Sequence, residues 1–145
     1  MRVRRAEPGD FGSVTALLEE LGRAKVTAQT REAARQVFEA QLEEPGAGPL
    51  VVEDAGELIA CCSLHFRPRL NRPTPDAWIP DLIVTAQARR RGAARALLEE
   101  AESRALERGC WALTLESGYA RAEAHVLYEA FGMTNQGYYF GKALN

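Results

Sequence analysis

Phe11, Val14, Leu17, Leu18 and Leu21 recur at steps of three and four, which puts one apolar stripe on a helix that starts after Pro8-Gly9-Asp10 and stops at Gly22. Ala34, Val37, Phe38 and Leu42 repeat the pattern between Thr30 and Pro45-Gly46, and a short strand at residues 3–6 precedes both helices. Leu50-Val51-Val52-Glu53 and residues 58–64 flank Asp54-Ala55-Gly56-Glu57, the composition of a hairpin turn. Residues 78–84 read as a strand that Pro80, with no N–H to donate, must interrupt or bulge. Ala94, Leu97, Leu98, Ala101 and Ala105 mark the clearest helix, ended by Gly109. Residues 111–115 form another strand, residues 122–131 a short helix ended by Gly132, and residues 133–144 one or two closing strands around Gln136-Gly137.

The predicted order is β-α-α-β-β-β-α-β-α-β(β), which implies a single mixed, mostly antiparallel sheet flanked by helices, an α/β fold of the α+β type. The length of 145 residues suits one domain over 1–145. Hydrophobic residues are 46% and charged residues 26%, values of an ordinary globular chain. A net charge of −2 supplies no general pull towards nucleic acid or an anionic membrane, so any anion site must be local. No apolar run is long enough for a membrane helix or a leader, which leads to the expectation of a cytoplasmic protein. Cys61, Cys62 and Cys110 have neither disulfide nor zinc-ligand spacing and read as reduced, buried thiols, with no metal implied.

Chemistry concentrates at Arg89-Arg90-Arg91-Gly92-Ala93-Ala94, between a strand and the strongest helix. A helix start offers unpaired N–H groups and a positive dipole end, and small residues there let a pyrophosphate approach the backbone. Solvated arginines are the plain alternative. The segment is neither a Walker loop nor a Gly-x-Gly-x-x-Gly turn.

This segment resembles the Arg/Gln-x-x-Gly-x-Gly/Ala motif of the GCN5-related N-acetyltransferases. Residues 79–84 look like that family's preceding strand, and Leu127-Tyr128 through Gly132-Met133 like its Leu-Tyr/Phe-x-x-x-Gly-Phe segment. The resemblance implies the GNAT acyl-CoA N-acyltransferase fold and an acetyl-CoA-dependent N-acetyltransferase acting on a primary amine of a small molecule by direct attack in a ternary complex. Protein N-terminal or lysine acetylation, or a non-catalytic acyl-CoA-binding module, are the alternatives. Relatives often dimerise through their C-terminal strands, so a homodimer is admitted. Neither nucleic acid nor membrane is expected as a partner.

By the same resemblance, Leu82, Ile83 and Val84 contact the acetyl and pantetheine groups through their backbone, and Arg89, Arg90, Arg91, Gly92, Ala93, Ala94 and Arg95 hold the pyrophosphate. Tyr128 is both a coenzyme contact and the general acid, since a phenol and a thiol have reference pKa values of about 10 and about 8.5. Pro80 stands where many relatives carry a glutamate base, so that role passes elsewhere. Asp81, ahead of Glu116, is the carboxylate expected near the cleft, and His125 is a further candidate.

On the acceptor side, Trp78 and Tyr139 are expected to line the cleft or pack beneath it, with His125 nearby. Arg67, Arg69 and Arg72 lie in a proline-stiffened loop that could clamp an anionic acceptor. Residues 115–125 and 139–144 resemble the corresponding region of aminoalkylphosphonate N-acetyltransferases within the larger family.

Overall fold

The computed structural model describes residues 1–117 and 122–144, and divides into two compact units, residues 1–115 and 116–145. Residues 118–121, part of the subgroup resemblance, lie outside the described residues. The first unit contains one six-stranded sheet: β1 (Arg2–Arg5), β2 (Gly48–Asp54), β3 (Glu57–Arg67), β4 (Asp76–Ile79), β5 (Leu82–Val84) and β6 (Leu113–Leu115). The strand order is β1-β2-β3-β4-β6, with β5 also on β3. Only β4 and β6 run parallel, so the sheet is mixed and mostly antiparallel, as the pattern predicts. Three helices, α1 (Phe11–Leu21), α2 (Arg31–Glu43) and α3 (Ala93–Arg108), belong to this unit, and α4 (Ala122–Ala130) to the second.

The β2–β3 hairpin turns at Ala55 and Gly56, both with positive φ (51° and 82°), the two-residue geometry that matches the strands' twist. Side-chain alternation then sorts the sheet's two faces. Val51, Cys61 and Ile83 meet Phe11, Val14, Leu17 and Phe38, and the Phe11 and Phe38 rings sit edge to face at 5.5 Å. Leu50, Val52, Cys62 and Leu64 fall on the opposite face, where α3 packs with Leu97, Leu98 and Ala101 fully buried. Arg5 closes the end of α2, donating to the carbonyls of Leu42, Glu44 and Ala47 at 2.9–3.0 Å. Gly48 is required beside it: a Cβ there would lie 2.6 Å from the Gln41 carbonyl oxygen.

Pro80 splits the predicted strand as expected. β4 pairs with the last residues of β3, β5 pairs with Ala60, Cys61 and Cys62, and between them the Ser63 N–H donates to the Asp81 carbonyl at 3.0 Å.

The closing strands predicted for residues 133–144 do not form; this stretch contains no strand. Its start is diverted locally, because the Asn135 side chain accepts the Gly137 N–H at 3.2 Å, a bond that competes with sheet pairing. Tyr138, Tyr139 and Phe140 are largely exposed.

Candidate functional site

The turn from Thr85 to Ala94 bends through a short 3-10 segment (Ala86–Ala88) and two left-handed residues, Arg90 (φ 63°) and Gly92 (φ 87°), before α3 begins. No side chain caps α3, and its first internal bond is Ala96 N–H to the Gly92 carbonyl at 3.0 Å. The N–H groups of Ala93 and Ala94 therefore precede the first helical bond. Left-handed residues alternating with ordinary ones make successive N–H groups converge, which is the concavity that oxyanions occupy. A Cβ on Gly92 would meet nothing within 4 Å, so the space in front of this turn is open.

The arginine side chains are drawn elsewhere. Arg91 pairs with Asp54 at the β2–β3 turn, and its hydrogen bond holds that carboxyl below the usual carboxylate range. Arg95 pairs with Glu99 one turn along α3 at 3.1 Å, and Arg89 Nε donates to the Val84 carbonyl at 3.4 Å. Each of these three side chains thus has a partner beside the turn.

Glu20, which the sequence reading passed over, anchors the start of this turn. Its carboxylate accepts the Ala86 N–H at 2.9 Å and the Thr85 hydroxyl at 3.2 Å. On α1 it looks like any exposed helix carboxylate, so no local signal marked it. A cleft of about 440 Å³ runs between α1 and the β2–β3 turn, and its lining includes Glu20 and Thr85.

β5 leads directly into the turn. Ser63 N–H to Asp81 carbonyl and Thr85 N–H to Ile59 carbonyl (2.8 Å) fix the alternation. It points the polar backbone groups of Ile83 at β3 and those of Leu82 and Val84 away from it. Among the described residues no strand pairs with that outward edge. Of the three predicted backbone contacts, Leu82 and Val84 thus have their N–H groups directed away from β3, the Val84 carbonyl accepting Arg89 Nε, whereas Ile83 is paired with β3.

At the break before β5, Arg23 Nε donates to Asp81 Oδ1 at 2.6 Å and its terminal nitrogen to the Pro80 carbonyl at 3.3 Å. Arg23 arrives there because α1 ends in a left-handed Gly22 (φ 104°), with Gly22 N–H to Glu19 carbonyl and Arg23 N–H to Leu18 carbonyl. His65 faces Trp78 across β3 and β4 with ring centroids 5.4 Å apart, and burial lowers the imidazole pKa. Arg67 lies over the Trp78 ring at 4.6 Å.

The three loop arginines do not share a single partner. Arg67 binds both oxygens of the buried Asp76 (3.1 and 2.8 Å), and Arg69 stands 3.6 Å from the same carboxylate. Arg72 lies over Trp111 at 4.0 Å, near the end of α3 opposite the anion turn.

In the second unit, Tyr128 is buried on α4. The Met133 N–H donates to the Tyr128 carbonyl (3.0 Å) and the Gly132 N–H to the Glu129 carbonyl (3.0 Å), with Gly132 left-handed at φ 94°. The glycine four residues after the tyrosine is therefore the helix stop. His125 on α4 and Glu116 after β6 are partly exposed, and Tyr139 is exposed.

Residues 14–133 match the profile of the acetyltransferase (GNAT) family. The chain is 30% identical over 142 residues to the aminoalkylphosphonate N-acetyltransferase of Salmonella typhimurium, covering 98% of this chain and 90% of that one. Its fold superposes with a TM-score of 0.84 on a protein of Agrobacterium tumefaciens assigned as an acetyltransferase, 27% identical, with 99% of each chain covered. AAC(6')-Iy, solved with the bisubstrate analog CoA-S-monomethyl-acetylneamine, gives a TM-score of 0.81 at 14% identity, covering 99% of this chain and 97% of that one.

Proposed function

Because the chain belongs to the acetyltransferase (GNAT) family, we propose that residues 1–145 form one domain that acetylates a primary amine of a small molecule. Membership makes it an acetyl-CoA-dependent acyltransferase. The observation that carries the site assignment is the uncapped start of α3, with Arg90 and Gly92 left-handed, following a strand whose outer edge is unpaired. That arrangement fits a pyrophosphate on the turn and an amide-rich pantetheine arm along Leu82 and Val84, as in an added strand.

In this reading the neutral amine attacks the thioester carbonyl and the oxygen takes up negative charge beside an outward backbone N–H of β5. The C–S bond then breaks, the thiolate accepts the Tyr128 phenol proton, and the ammonium proton leaves through water. Asp81 keeps one oxygen for that water while the other holds Arg23; Glu116 and His125 are the further proton acceptors proposed. Trp78 and Arg67, with His65 beside Trp78, are proposed as acceptor contacts of the first unit; Tyr139 and His125 are proposed as acceptor contacts on the strength of the family resemblance. Arg69, which lines a groove beside Arg108, is proposed as a further acceptor contact. The enzyme works in the cytoplasm in this reading, with a homodimer admitted.

The test is release of free thiol from acetyl-CoA across a panel of small amines and peptides, with products identified by mass spectrometry. Acetylated small amines support the reading. Turnover confined to peptides would transfer it to a protein acceptor, and tight binding without turnover on any amine would overturn catalysis.

A further inference from the structure

At the C-terminal end of α3 the first unit has a second groove, about 220 Å³, whose walls include Phe66, Arg69, Arg72, Thr74 and Arg108 together with three prolines. Among the described residues three guanidinium groups line it and no carboxylate does. The buried Asp76 accepts two bonds from Arg67 at 3.1 and 2.8 Å and makes a longer ion pair with Arg69 at 3.6 Å. Arg72 and Arg108 have no ion-pair partner among the described residues. In a chain of net charge −2, two guanidinium groups without an ion-pair partner, beside a third that shares a carboxylate with Arg67, favour a counter-charge from outside at this groove.

The cations are also held in place. Arg72 lies over the Trp111 ring at 4.0 Å and Arg108 over the Phe66 ring at 5.3 Å. A guanidinium lying over a ring is restrained while its in-plane N–H edges stay free to fork onto an oxyanion, so less ordering entropy is lost on binding. The loop's prolines restrict the backbone further. Sixteen residues of α3 separate this groove from the anion turn, about 24 Å at the helical rise, so one phosphate group cannot serve both.

We propose that this groove is a second anion site, distinct from the coenzyme turn, for a small molecule carrying two or more oxyanion charges. Its oxygens are phosphoryl or carboxylate, and Arg69, Arg72 and Arg108 bind them with Thr74 as a neutral donor.

Inorganic pyrophosphate and citrate are the probes, titrated calorimetrically into Gly92→Asp protein, in which the coenzyme turn is blocked. Saturable binding should survive in that background. It should weaken at least tenfold on adding Arg72→Ala and Arg108→Ala, and less on adding Arg72→Lys and Arg108→Lys, which keep charge but lose the fork. Pyrophosphate binding more tightly assigns phosphoryl oxygens, and citrate carboxylates. No binding in the Gly92→Asp background, or binding indifferent to the alanine pair in a protein with parental melting temperature, overturns the site. Acetyl-CoA binding by the alanine pair in an otherwise parental chain should be unchanged, so the proposed function stands or falls separately.

Discussion

The Arg23 guanidinium and the Asp81 carboxylate, 2.6 Å apart, join the residue just past α1 to the break between β4 and β5. If Asp81 relays the ammonium proton through its remaining oxygen, Asp81→Asn should flatten the rise of kcat with pH, whereas Arg23→Met should mainly change the acceptor KM. Steady-state pH profiles of both variants decide the matter: equal effects of the two substitutions on an intact profile would reduce Asp81 to the partner of Arg23 and shift the proton to Glu116, His125 or bulk water.

Gly92 separates backbone strain from charge. Gly92→Ala adds a methyl group into open space at φ 87° and should cost about 1 kcal/mol of stability while keeping coenzyme binding. Gly92→Asp carries similar strain but sets a carboxylate at the turn, and should abolish the rise in melting temperature that acetyl-CoA produces in the parent. Thermal shift with and without acetyl-CoA checks both; stabilisation of the aspartate variant equal to the parent's would displace the pyrophosphate from this turn.

Tyr128→Phe keeps the ring and removes the proton. It should lower kcat by roughly 10–10⁴-fold with little change in the acetyl-CoA dissociation constant. Single-turnover rates are the check, and an unchanged chemical step would remove the tyrosine from proton transfer.

Glu20→Ala should raise the acetyl-CoA KM without a matching fall in kcat, because it frees the Ala86 N–H and the Thr85 hydroxyl at the start of the turn. Glu20→Gln keeps an acceptor oxygen and should recover most of the loss. A kcat effect at unchanged KM would argue against a positioning role.

Acid should weaken the fold through Asp10. Its carboxylate takes two Arg4 hydrogen bonds, 2.7 and 3.2 Å, and the Glu7 N–H at 2.7 Å, and the Arg4 bonds hold its pKa below the usual value. A carboxyl depressed in the native state stabilises above its unfolded pKa of about 3.9 and loses that contribution as pH falls through the native value. Asp10→Asn should therefore destabilise by about 1–3 kcal/mol at neutral pH and by progressively less below pH about 4. Urea denaturation at several pH values reads the difference.

Much of this molecule was already legible as local chemistry. Gly22, Gly109 and Gly132 stop helices because the left-handed residue after the last turn is cheapest without a Cβ, and Pro80 breaks a strand because it has no N–H. The hairpin at Ala55-Gly56 and the start of α3 at Gly92 follow from equally short stretches, and the turn motif with Tyr128 pointed to the family. The contacts that set the site in place are different in kind. Glu20 and Ala86 are 66 residues apart, Arg23 and Asp81 58, and Arg91 and Asp54 37. Each involves an ordinary surface charge whose partner is chosen by strand order, which no periodicity encodes. The same holds for failure: residues 133–144 have the aromatic content of a strand, but a strand needs a neighbouring edge, and composition does not supply one. The arginine loop shows both levels, since composition revealed its charge, and only the packing of Asp76, Trp111 and Phe66 decided which guanidinium groups are neutralised and which are left facing a groove.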